Sequence, residues 1–173
     1  MSKSEYLTDR QSFDRLRKQA AAGLKMVTTA VASNAAIFFD SSDICTFRYH
    51  KFLRALLSER GEAEFAALVL RPDPEAYFFH HFSKFSALIF RPDHSDEDFV
   101  VSLNSDPGGS LADAFDANSE RYIVFPLSGE WAIYADRYQE LAAMAGPPEV
   151  LEFARQHYPF EVHKKNPGFV ISD

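Results

Sequence analysis

The sequence predicts an α+β fold: N-terminal helices packed on a mainly antiparallel sheet, with a C-terminal helix. Three observations carry this. Apolar residues recur at helical spacing as far as residue 61, short β-rich runs broken by Pro and Gly follow from residue 64, and a helical pattern returns only after "GPP" at 146–148. Helices grouped ahead of strands, instead of alternating with them, argue against repeated βαβ units. With no Pro/Ser-rich linker, the 173 residues read as one domain, 1–173.

The first helix is expected over 8–32. Thr8 and Gln11 have capping-box spacing, and Phe13, Leu16, Ala20, Leu24, Val27 and Val31 form one apolar stripe. "AAIFFD" (35–40) is a short buried run, either a strand or a helix end. A second helix covers 41–61, capped by Ser42 or Asp43, with Phe47, Leu53, Leu56 and Leu57 on one face and Gly61 as its stop. "EFAALVL" (64–70) reads as a strand, although its alanines keep a helix open. Asp73 and Pro74 then start a short helix, "DPEAYFFHHF". "FSALIF" (85–90) and "DFVVSLN" (98–104) are strand candidates, "SDPGG" (105–109) is a turn, and Ser110 caps a short helix. "RYIVFPL" and "WAIYADR" flank "SGE" as a hairpin. "YQELAAMAG" is a third strand by hairpin context or a helix by propensity. "PPEVLEFARQHYP" is the terminal helix, and "FEVHKKNPGFVISD" an extended tail or edge strand.

Composition excludes several classes. Apolar residues at 46% and charged residues at 25% are ordinary globular usage, which excludes disorder and fibres, and 17 Phe predict an aromatic core. The single Cys45 excludes an internal disulfide and a Cys-rich zinc site. No run reaches the roughly 18 apolar residues of a membrane span, and the charged N-terminus is unlike a signal peptide, so a cytoplasmic protein is expected. Residues 1–60 hold ten Lys/Arg against six Asp/Glu, whereas residues 61–173 hold eight against nineteen. An acidic majority argues against nucleic acid as partner and favours a basic protein surface.

Motifs for chemistry are sparse. On a helix, His80 and His81 point about 100° apart and cannot easily share an ion. His94, Asp96 and Asp98 alternate along an expected loop, which makes a weak metal site conceivable, but a solvated acidic rim is the better reading and no metal or cofactor is expected. Cys45, between Ile44 and Phe47, reads as a packed small residue. "LSGEW" lacks the first glycine of a nucleophile elbow, and Asp106 and Asp113 would repel phosphate from "SDPGGS". The carboxylates remain: Asp93, Asp96, Glu97 and Asp98, then Asp106, Asp113, Asp116 and Glu120, in segments where binding residues concentrate.

The stretch "YIVFPLSGEWAIYADRYQELAAMAG" (122–146) resembles a C-terminal pattern of small bacterial proteins associated with immunity to polymorphic toxins, at Trp131, Tyr134, Asp136, Arg137 and Glu140. The resemblance implies a cytoplasmic α+β binding protein that blocks the surface of a toxin, and it favours a strand for "YQELAAMAG". It carries over no active site. Trp131 and Tyr134 are separated by an odd number of positions, so one is expected in the core and the other exposed; Asp136 and Arg137 are expected to pair at the hairpin end. The functional expectation is therefore a non-enzymatic protein-binding domain whose partner is a basic toxin domain. Its contact residues are Asp96, Glu97, Asp98, Asp113, Asp116, Glu120 and Trp131, with no membrane or nucleic-acid partner. The alternative is a small-ligand protein or enzyme with a Phe-lined pocket, with His80, His81 or His94 as acid-base or metal group.

Overall fold

The computed structural model describes residues 3–172 and is α+β. Helix α1 (Arg10–Ala32) leads to strand β1 (Ile37–Asp40), a 3₁₀ turn at Ser41–Cys45 and helix α2 (Phe47–Glu59). Strand β2 (Phe65–Arg71) is followed by a π-helical turn, Pro74–Phe79, that runs into the short α3 (His80–Phe82). Then come β3 (Ala87–Phe90), α4 (Asp96–Leu103), a 3₁₀ turn at Leu111–Asp113, β4 (Arg121–Pro126), β5 (Ala132–Asp136), β6 (Leu141–Ala145) and α5 (Pro148–His157). The six strands form one sheet in the order β1-β6-β5-β4-β2-β3, every pair antiparallel.

Both faces of the sheet are covered, which explains the nearly continuous apolar runs of its central strands. On β2, Phe65, Ala67 and Val69 join the core shared with α2, α4 and α5, while Ala66 and Leu68 face the α1 side. Helix α1 lies close against the sheet: a Cβ at Gly23 would come within 3.0 Å of Ala132 Cβ and 3.2 Å of Ile123 Cδ1. The expected stop of α2 is present, with Gly61 left-handed at φ +67° one residue past the cap Arg60.

Several boundaries differ from expectation. Asp9, not Thr8, caps α1, its carboxylate accepting from the Ser12 N–H at 2.8 Å. The expected 41–61 helix is broken at Thr46, whose hydroxyl accepts from the Tyr49 N–H and starts α2 anew. The expected strand at 98–104 is helix α4. Ser95 Oγ accepts from the Asp98 N–H while the Asp98 carboxylate accepts from the Ser95 N–H, a closed capping box, and three acids in the first turn complement the helix dipole. "YQELAAMAG" holds β6, as the hairpin context implies.

Neither outer edge is left bare. Residues 4–7 run beside β3, with the Leu7 N–H donating to Ala87 O at 3.0 Å and Ser4 Oγ to Ile89 O at 2.7 Å. The tail touches β1 through the His163 N–H and Phe38 O at 2.8 Å, and beyond it Phe169 packs against Phe38 and Tyr134 without forming a strand.

Candidate functional site

The seven residues expected at a contact surface fall into three places. Asp96, Glu97 and Asp98 begin α4. Asp98 is 7% exposed, and the hydrogen bond from the Ser95 amide holds its carboxyl below the ordinary range. Asp96 turns toward α2, where the His50 Nδ1–H donates to its Oδ1 at 2.6 Å, with Lys51 Nζ 3.9 Å from Oδ2. Glu97 is the one of the three left exposed.

Asp113, Asp116 and Glu120 lie in the loop that returns the chain from α4 to β4. Asp113 Oδ1 accepts from the Tyr77 hydroxyl at 2.8 Å and from Asn118 Nδ2 at 3.2 Å. Asp116 anchors a polar clamp: the Cys45 thiol donates to its Oδ1 at 2.5 Å, and Arg137 Nη1 donates to its carbonyl at 2.7 Å. The same guanidinium stands 5.8 Å from the Tyr122 ring centroid. Burial first, then the neighbouring Asp116, pushes the Cys45 thiol up to about 12, so it sits as a protonated donor and not as a nucleophile. Glu120 is half-exposed and accepts from the Tyr138 hydroxyl at 3.4 Å.

Trp131 is corrected from a contact residue to a core residue. Its side chain is fully buried on the α2/α5 side of the sheet, and Tyr134, 3% exposed, is buried under α1 on the opposite face. Alternation along β5 holds, but a sheet covered on both sides leaves neither ring to solvent. The expected Asp136–Arg137 pair is also replaced: Arg121 Nε reaches Asp136 at 3.4 Å, and Arg137 turns to Asp116. His80 and His81 are exposed beside Tyr77, and buried His94 accepts the Arg91 N–H on its Nδ1 at 2.9 Å, so the three histidines do not converge.

Around the Asp116 clamp, one end of the molecule carries exposed apolar side chains. Tyr138, 79% exposed, follows Arg137; Phe47, 51% exposed, opens α2 two residues beyond Cys45; Leu111, 70% exposed, starts the turn that ends at Asp113. Exposed Asp40 and Glu140 sit at the paired ends of β1 and β6, where the Ser41 N–H donates to Glu140 O. Acid and bare apolar surface therefore meet at the end where β1 finishes and β4 begins.

His50 is a functional-looking residue for which the sequence holds no expectation. It lies on the buried stripe of α2 with Leu53 and Leu57 and is 1% exposed, stacked on Phe99 with ring centroids 4.6 Å apart and planes 14° apart. Burial holds its pKa below 6.5, against the opposing pull of Asp96. The ring forms part of the wall of a cavity of about 260 Å³ shared with Arg54, Ser58, Phe65, Phe90 and Arg91. A histidine at stripe spacing was the available signal; its carboxylate partner, 46 residues away, was not. A larger cavity of about 500 Å³ between α1 and the sheet includes Lys25, Arg71 and Arg121, but the charge of Arg121 is already engaged by Asp136.

No protein-family model matches the chain, and comparison with curated proteins and with solved structures finds no match. Among the described residues no helix is long and apolar enough to cross a membrane.

Proposed function

We propose that the chain is a non-enzymatic protein-binding domain whose contact surface is the acidic end around Tyr138. The observation that supports this is the 79% exposure of Tyr138, whose hydroxyl meets Glu120 and which lies two residues from exposed Glu140, with exposed Phe47 two residues beyond the Cys45–Asp116 contact. Large apolar side chains supply the desolvated contacts of an interface, and surrounding carboxylates speed encounter with a basic partner. The contact set shifts from the residues expected from the sequence: Glu120 stays, Tyr138 replaces Trp131, Asp113 and Asp116 hold the surface in shape from behind, and Asp96, Glu97 and Asp98 belong to the start of α4 instead. On this reading the resemblance over 122–146 points to a toxin domain neutralised in the cytoplasm as the partner, and the acidic charge of the surface points to a basic one.

The test compares capture of proteins from native lysate by the wild-type chain, by a Tyr138→Ala/Glu120→Lys/Glu140→Lys variant and by a control, Glu161→Lys, at another exposed acid. The expected result is one basic protein retained by the wild type and the control, lost by the triple variant and released as salt rises. Equal retention by the triple variant, or no retained protein at all, overturns the reading.

A further inference from the structure

The larger cavity, about 500 Å³ between α1 and the sheet, gathers positive charge in a chain whose net charge is −7. Arg71 on β2 and Arg121 on β4 are direct partners across the two strands, and like charges set opposite each other in a sheet are destabilising. Asp136, on the other side of Arg121, meets that guanidinium at 3.4 Å. Among the described residues no carboxylate pairs with Arg71, nor with Lys25, which reaches the same cavity from α1, and no Asp or Glu is part of the wall. Tyr134 adds a further donor. It is 3% exposed, its ring packs on Phe169, and its hydroxyl proton meets no acceptor among the described residues. Burial raises the pKa of this phenol while Arg121 and Arg71 both pull it back, so the two guanidinium charges are felt at the hydroxyl.

We infer that this cavity binds a small amphiphilic oxyanion, a carboxylate or phosphate monoester at the head of a single short aliphatic chain. Lys25 and Arg71 hold the head, and the Tyr134 hydroxyl donates to it. Arg121 keeps its pairing with Asp136 and braces the site without spending its charge on the ligand. The body lies against an aliphatic wall of Leu24, Leu70 and Ile171. A volume of about 500 Å³ is inside the usual range for small-molecule pockets, which combine an apolar lining with a few placed polar groups. The site shares no residue with the protein-binding surface around Tyr138, and the inference does not rest on that reading.

The experiment titrates the full chain at neutral pH with octanoate and octyl phosphate, both kept below micelle-forming concentrations, and with 1-octanol as the neutral control. It reads the melting temperature and the ring signals of Tyr134 by NMR. At least one of the two anions is expected to raise the melting temperature and shift the Tyr134 signals. Lys25→Ala/Arg71→Ala, at two exposed positions, should weaken this by about tenfold or more, and Tyr134→Phe, which keeps the ring in place, by about fivefold. Lys18→Ala removes an exposed cation of α1 outside the cavity and should leave binding unchanged. A response to octanoate alone identifies a carboxylate, and one to octyl phosphate alone a phosphate ester. Silence of the wild type with both anions, as would follow if the carboxylate of Asp173 already held the two cations, overturns the proposal. So does an equal response to 1-octanol, a response unchanged in Lys25→Ala/Arg71→Ala or in Tyr134→Phe, or an equal loss in Lys18→Ala.

Discussion

Two acidic clusters that look alike along the chain do different work in the folded protein. The first, Asp96 to Asp98, is a helix start: one acid closes a capping box, one holds a buried histidine, and only Glu97 is free. The second, Asp113 to Glu120, is a brace. Asp113 and Asp116 hold Tyr77, Cys45 and Arg137 in place, and the surface they support ends in Glu120 and the exposed Tyr138. Charge density alone therefore does not mark a contact surface. What distinguishes the second region is bare apolar area, Tyr138 above all, beside carboxylates that stay at the surface.

The largest effect that separates core from contact is expected at Trp131. If it is core, Trp131→Ala should cost about 3–5 kcal/mol in denaturant unfolding. A loss below about 1 kcal/mol would return Trp131 to the surface. Next comes Asp96→Ala, which strands the buried His50 Nδ1–H and should cost about 1–3 kcal/mol at neutral pH. Its pH dependence sharpens the point. The pKa of His50 is depressed in the folded state, so its contribution to stability is full above about 6.5 and is lost as pH falls. Asp96 opposes that depression, so the gap between wild type and Asp96→Ala should widen from pH 7 toward pH 5; a constant gap would mean that the pair does not sense the proton. The smallest contrast lies within the first cluster. Asp98→Ala should cost about 0.5–2 kcal/mol through the lost cap, whereas Glu97→Ala should stay within about 0.5 kcal/mol. Equal losses in a thermal melt would show that the acids act only through bulk charge.

How legible each part was follows from how local its signal is. β4, β5 and the start of α5 could be read because the hairpin turn and the Pro147–Pro148 pair lie next to the residues they govern. In α4, Phe99, Val100 and Val101 favour a strand by side-chain type, yet Ser95 and Asp98 at capping-box spacing outweigh them. That signal was present in the sequence, concealed because the same acids suit a solvated rim. The site was less legible because its pairs are distant in the chain: His50 with Asp96, Cys45 with Asp116, and Tyr77 with Asp113. Only the sheet and its two helical layers bring them together. The burial of both Trp131 and Tyr134 likewise depends on α1 covering the second face, which period-2 alternation in β5 cannot reveal.

The segment 4–7 laid along β3 makes a few residues near the start of the chain a guard against self-recognition. Without them, the β3 rim would offer Ala87 and Ile89 carbonyls to any extended strand, including one from another copy. The strip is not a detachable cover: Tyr6 belongs to the core and accepts the Phe115 N–H at 2.9 Å, so the residues that close the rim are also fastened from inside the molecule.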